Sequence, residues 1–231
     1  MTEPSLLSLL ATAFGLGLLH ALDADHLAAL GSLMSDKSGY NRSLKYCTHW
    51  SLGHGSVILL TGTSVFMLGL SIPHSMSHLA EILVAALLLG LGFWTLYDVL
   101  YHQHKHRNKS NSVKHRHGAL FIGCIHGLAG SATLLAIIPL SHSASPWQAL
   151  AYLATFVVTV LLGMLCFGSV FSRAWQRLSA QSAIRLSTLR LLIALCCVVV
   201  GLDLLSADLG SDNVDPANAE LMNAELLHGA T

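Results

Sequence analysis

The sequence predicts an all-α, polytopic membrane protein with six transmembrane helices, arranged as a 3+3 inverted repeat with both termini outside. Only 10% of the 231 residues are charged and 53% are apolar, against roughly 25% charged in soluble domains, and mean hydropathy is +0.61. Six stretches supply the ~20 mostly apolar residues a span needs: 5–33, 50–70, 79–101, 118–140, 148–171 and 187–207. All 12 Lys and Arg fall in the connections after the first, third and fifth, which the positive-inside rule assigns to the cytoplasm.

The first span follows Met1-Thr2-Glu3-Pro4 directly. With no basic n-region or small-residue cleavage site it is expected to be retained. The first cytoplasmic loop holds Asp36, Lys37, Arg42 and Lys45, the second is the His-rich segment 102–117, and Arg173, Arg177, Arg185 and Arg190 flank the third. Pro73 and Pro146 mark the outer turns. Residues 1–207 are thus the transmembrane domain and 208–231 an acidic external tail, in which Asp215-Pro216 can open a short helix. Trp50, Trp94, Tyr97, Tyr101 and Trp147 read as interfacial anchors. The 5 cysteines read as small hydrophobes, not a disulfide frame. Zero net charge, with basic residues confined to short loops, excludes nucleic acid as a partner.

Three spans per half make the second half run opposite to the first, as in inverted-repeat transporters. Gly17-Leu18-Leu19-His20-Ala21-Leu22 resembles Gly123-Cys124-Ile125-His126-Gly127-Leu128, and Gly55-Ser56-Val57 echoes Gly168-Ser169-Val170. Gly123, Gly127 and Ser131, four residues apart, would let the fourth span approach a neighbour closely.

His20, Asp23, Asp25 and His26 lie within seven residues of the first span, and His54 lies in the second. At the bilayer centre a charged group costs ~2.5–3.5 kcal/mol, so this set needs compensation, and a divalent first-row metal ion, which carboxylate and neutral imidazole both ligate, supplies it. On a continuous helix His20, Asp23 and His26 share an arc of about 120°, but His20 and His26 are ~9 Å apart along the axis. Bonds of ~2 Å cannot then bring both to one ion. Either the helix unwinds there or two successive metal positions share Asp23. A lone intramembrane histidine such as His126 or His49 reads more simply as an interhelical hydrogen-bonding contact. His102, His104, His106, His115 and His117 have the composition of a metal-binding tract, and His74, Met76 and His78 that of a weak outer capture site. Glu81 and Asp98 read as interfacial; Asp203 is a candidate proton-coupling group.

The run from His20 to His26, followed by Leu52-Gly53-His54-Gly55-Ser56, resembles the NiCoT nickel/cobalt transporter family. That family has eight spans and a third motif rich in Asp, Thr and Glu. Here six spans and His126-Gly127-Leu128-Ala129-Gly130-Ser131-Ala132 look more like its shorter, urease-accessory UreH-like branch. The resemblance implies metal recognition by His20, Asp23, Asp25, His26 and His54, with Gly53 in packing; His126 joins them as a candidate metal ligand. The function expected is a secondary transporter of nickel or cobalt in the cytoplasmic membrane, with the ion as substrate and no permanently bound cofactor. Its expected partners are the metal ion, the lipid bilayer and metallochaperones or metalloenzyme maturation proteins. No GxxxxGK[ST] segment supports ATP hydrolysis, and the chain does not read as an enzyme. The competing readings are a haem protein with His20, His54 or His126 as axial ligands, or a thiol-disulfide oxidoreductase.

Overall fold

The computed structural model describes residues 5–35, 39–68, 74–101, 114–129, 145–179 and 183–211, and among them every regular element is a helix. In chain order these are α1 (Leu6–Ala21), α2 (Ala24–Ser35), α3 (Tyr40–Leu68), α4 (His74–Tyr101), α5 (Lys114–Leu128), α6 (Pro146–Ser179) and α7 (Ala183–Ser211). Segment 102–113, Pro73, residues 130–140 of the expected fourth span and the tail beyond Ser211 lie outside the described residues. Helix α7 runs past the domain boundary expected at residue 207.

Segments His78–Tyr101, Pro146–Leu178 and Ile184–Ala207 are long and apolar enough to cross a membrane, and α1 with α2 passes the same test as a pair bent by 50°. Helix α3 has 29 residues, ~44 Å at 1.5 Å per residue, but His49, Ser51, His54 and Ser56 lower its hydropathy. In α5 the apolar part is Gly118–Leu128.

Local chemistry sets the helix ends near the core. The Ser8 N–H donates to Ser5 Oγ at 3.2 Å, capping α1. At the other end of α1, the Leu22 N–H donates to the Leu19 carbonyl (3.0 Å) and the Asp23 N–H to that of His20 (3.2 Å). The Leu27 N–H then donates to the Asp23 carbonyl (3.1 Å), so Asp23 starts the second helix. The expected single first span is therefore two helices broken at Leu22-Asp23. Before α3, Gly39 takes φ 94°, a backbone conformation that favours glycine, and its carbonyl accepts the Arg42 and Ser43 N–H groups at 3.2 Å each.

The main packing pairs are α1 with α6, α3 with α5, α3 with α6 and α4 with α7. Small residues bring the backbones together. A methyl group on Gly17 would lie 2.7 Å from the Phe156 carbonyl oxygen, and one on Gly123 would collide with that of Trp50. Gly163 faces Ala21 and Gly127 faces Val57; Gly62 faces Leu153 and Gly168 faces Cys47; Gly55 meets Leu161 and Gly92 meets Val198. All these contacts obey one register. Adding 106, the separation of Gly17 from Gly123, turns Gly17·Phe156 into the mate of Trp50·Gly123, Ala21·Gly163 into that of Gly127·Val57, and Cys47·Gly168 into that of Leu153·Gly62. Gly55·Leu161 and Gly92·Val198 map onto themselves.

All five cysteines are free. Cys47 donates its thiol to the Met164 carbonyl (3.4 Å) and Cys197 to that of Ala28 (3.2 Å), so both join helices as small packing groups. At one end of the bundle the Arg173 guanidinium lies 4.9 Å from the centre of the Tyr40 ring, joining the end of α6 to the start of α3. Arg190 bonds Asp98 at 2.9 Å, joining the start of α7 to the end of α4. Asp98, expected to be merely interfacial, is thus half of an interhelical ion pair. Of the expected anchors, Trp94, Tyr97, Tyr101 and Trp147 are exposed on the bundle surface, but Trp50 is fully buried.

Candidate metal centre

The break in α1–α2 folds the first motif onto α3. Losing helical register at Leu22-Asp23 removes the ~9 Å separation a straight helix would impose, and the His20 and His26 ring centroids come to 4.6 Å. His54, the middle residue of α3, completes the group, 4.7 Å from His26 and 5.5 Å from His20 between centroids. His20 Nε2 and His54 Nε2 are 3.3 Å apart. Two nitrogens on one ion, bonded at ~2.0–2.1 Å with a tetrahedral angle, stand ~3.3 Å apart. The nearest donor atoms of His20, His26 and His54 all lie within 4.8 Å of one another.

A second group overlaps the first. Asp23, Asp25 and His26 also offer donor atoms within 4.8 Å of one another. The two triads share His26, where the sequence had suggested sharing through Asp23. Asp23 Oδ2 accepts a 2.6 Å hydrogen bond from His20 Nδ1, fixing that ring so that Nε2 points inward. Asp25 Oδ1 lies 3.1 Å from His26 Nδ1, within ion-pair range. Asp25 also stands in the first turn of α2, where the helix dipole favours negative charge. Burial grades across the site: the Asp23 side chain is 45% exposed and that of Asp25 21%, whereas His54 is at 0%. The carboxylates are thus the more exposed donors and the imidazoles the buried ones.

His126, on the last turn of α5, joins the edge of the cluster, 5.8 Å from His26 between centroids. Both its ring nitrogens, His26 Nε2 and His54 Nδ1 are buried without a hydrogen-bond partner among the described residues. Unpaired buried polar groups are costly, so a cluster with this many open nitrogens is arranged for a ligand. His49 stays outside; its Nδ1 lies 2.6 Å from the Lys45 carbonyl oxygen on its own helix. Asp203 is exposed on α7. Of the expected outer capture group, His78 alone has a described side chain.

Two aromatic residues that the sequence reading did not assign to the site enclose it. Trp50 stacks on His54 at 5.6 Å and also meets His26 at 5.6 Å and His126 at 5.4 Å. Phe156 on α6 stacks on His20 at 5.8 Å. Trp50 precedes His54 by four residues, which places both on one helix face, and that spacing was the available signal. Nothing local marked Phe156.

The family model described as High-affinity nickel-transport protein, NicO, matches residues 6–123, a span that holds both triads. The chain belongs to the NicO family. Relatives of this NicO protein include the urease accessory protein UreH of Bacillus sp. (strain TB-90), 30% identical over 177 residues, 72% of this chain and 77% of that one. A Methanocaldococcus jannaschii protein named for nickel/cobalt efflux is 25% identical over 199 residues, 83% of this chain and 89% of that one. The high-affinity nickel transport protein of Cupriavidus necator is 35% identical over 84 residues, 35% of this chain and 23% of that one. No solved structure matches the chain. NicO is a transporter family, not an enzyme family, and its membership together with the apolar helices makes this a multi-pass membrane protein.

Proposed function

We propose that the protein is a secondary transporter of Ni²⁺ or Co²⁺ in the cytoplasmic membrane. The carrying observation is the buried trio His20, His26 and His54, with the Nε2 atoms of His20 and His54 at a separation that fits one ion. Asp23 and Asp25 draw the ion in and balance its charge, His26 passes it from the carboxylate triad to the imidazole triad, and His126 stands next to it on the opposite half. The names of the relatives, which speak of nickel transport and nickel/cobalt efflux, support this substrate class. The UreH relative supports metalloenzyme maturation proteins as partners. Ring centroids of 4.6–5.8 Å within the histidine cluster leave no slot for a macrocycle, which counts against haem.

The architecture proposed is six spans, with α1 and α2 as one broken span, in a 3+3 inverted repeat. The register of 106 supports it, since self-paired contacts at Gly55·Leu161 and Gly92·Val198 are what a two-fold axis between the halves requires. In that register Gly55-Ser56-Val57 corresponds to Leu161-Leu162-Gly163, so its echo in Gly168-Ser169-Val170 is coincidental. Arg173 on Tyr40 and Arg190 on Asp98 gather helix ends rich in basic residues at one end of the bundle, which supports that end as cytoplasmic and both termini as external.

The test is radiotracer nickel and cobalt flux in reconstituted vesicles of both orientations. Wild type is expected to show saturable flux of one or both ions and His20→Ala to lose it by at least ~10-fold, the scale of ligand-shell losses. Equal accumulation by the two proteins would overturn the site.

A further inference from the structure

Resting on the six-span reading above, we infer that Trp50 and Phe156 are the inner and outer walls of the ion chamber, an equivalent pair that must turn aside alternately for the ion to leave. Both are fully buried. They occupy matching positions in the register of 106: Gly123 presses on the Trp50 carbonyl and Gly17 on that of Phe156. The match extends to the chemistry. Phe156 covers His20, three residues after Gly17, at 5.8 Å; Trp50 covers His126, three residues after Gly123, at 5.4 Å. His26 and His54 lie between these two aromatic-on-imidazole units.

Position along the helices sets the sides. Trp50 is the tenth residue beyond Tyr40 and Phe156 the tenth beyond Pro146, each ~15 Å into its helix, and the two helices enter from opposite faces. Trp50 is therefore about one turn to the cytoplasmic side of His54, and Phe156 stands correspondingly to the external side. Each ring is an apolar barrier of the kind that closes a pore by excluding water. The indole has a further property, since Trp50 Nε1 is buried without a hydrogen-bond partner among the described residues. Ring reorientation at Trp50 thus breaks no hydrogen bond seen there.

Two barriers in series make a distinct forecast. Removing either alone leaves the other standing, while removing both opens a continuous path. The experiment is proton leak into vesicles holding a trapped pH dye, without nickel, for wild type, Trp50→Ala, Phe156→Ala and the double variant. The single variants should stay within about 3-fold of wild type and the double variant should leak at least ~10-fold faster, as expected when an apolar constriction is removed. A double variant no leakier than the singles, or a single variant as leaky as the double, overturns the assignment. Trp50→Leu with Phe156→Leu, which keeps apolar bulk, should stay tight; a leak there of the same size would mark general loosening of the bundle and also overturn it. Nickel flux of the wild type, measured in parallel, reports separately on the transport reading.

Discussion

The two halves of the proposed repeat share a contact register and differ in chemistry. Helices α1 to α4 carry Asp23, Asp25, His26 and His54; at the positions that match them in the second half stand Ala129, Ser131, Ala132 and Val160, and His126 is retained as the mate of His20. The crossing of α1 on α6 places His20 beside Phe156, and the equivalent crossing of α5 on α3 places His126 beside Trp50; His20 Nε2 also lies 3.3 Å from His54 Nε2. On the proposed repeat, a roughly two-fold framework would hold a one-sided candidate site. An ion at the centre of a symmetric carrier can be reached equally from both faces, but candidate ligands drawn mainly from one half would tie the ion to the broken helix that presents them. That helix carries the cost of irregular backbone, which membrane proteins tolerate where it lines a cavity.

The largest expected effect follows from His26, the residue common to both triads. His26→Ala should weaken equilibrium nickel binding by more than ~100-fold, while His20→Ala and His54→Ala, each in one triad, should cost ~10–100-fold, the range of losses around metal sites. Isothermal titration of the purified variants measures this. Equal losses for all three would show that the carboxylate triad is no separate position. His126→Ala should lower affinity least of the four histidines, because its nearest ring neighbour in the cluster other than Trp50 is His26, at 5.8 Å.

How far this was legible in the sequence depends on the range of the interactions. The candidate ligand cluster was legible because HALDADH and His54 put charge and imidazole where lipid should be. The break between Leu22 and Asp23 was legible only as one of two alternatives. A straight helix keeps its local hydrogen bonds equally well, and the choice is made by α6 packing against α1 and by α7 and α4 packing against α2. The register was partly hidden because the halves achieve the same close approach with the glycine on opposite partners: Gly163 on α6 meets Ala21, whereas Gly127 on α5 meets Val57. The contact is kept while the residue types exchange sides, and a position-by-position comparison loses it. Trp50 was misread because a tryptophan near a helix end is ordinarily interfacial, but α3 begins ten residues earlier than the apolar pattern implied.

The two equivalent crossings can be compared directly through their glycines. A methyl group on Gly123 would collide with the Trp50 carbonyl oxygen, one on Gly17 would lie 2.7 Å from that of Phe156, and one on Gly15 meets nothing within 4 Å. Overpacking costs typically ~1–3 kcal/mol, so Gly123→Ala should sit at the upper end, Gly17→Ala lower, and Gly15→Ala close to zero or slightly stabilising, since alanine is the better helix former. Thermal unfolding in detergent ranks the three. If Gly17→Ala proves as damaging as Gly123→Ala, the tighter approach of α3 to α5 is not a real difference between the halves.

The smallest effect tests an element without a mate. Asp98 and Arg190 correspond to Leu204 and Val84, so their 2.9 Å ion pair ties α4 to α7 at one end of the bundle only. Both side chains are about a fifth to a quarter exposed, and partly solvated pairs of this kind contribute roughly 1 kcal/mol or less. Asp98→Asn, Arg190→Gln and the double variant form a cycle in which the coupling should be of that size and should shrink in high salt. The same cycle read on nickel flux asks whether the pair acts only on stability. A latch at the cytoplasmic end would alter flux more than melting temperature when broken, because it would stabilise one facing of the carrier over the other. If flux and stability fall together, the pair simply holds two helices, and the asymmetry between the proposed halves resides in the candidate metal ligands.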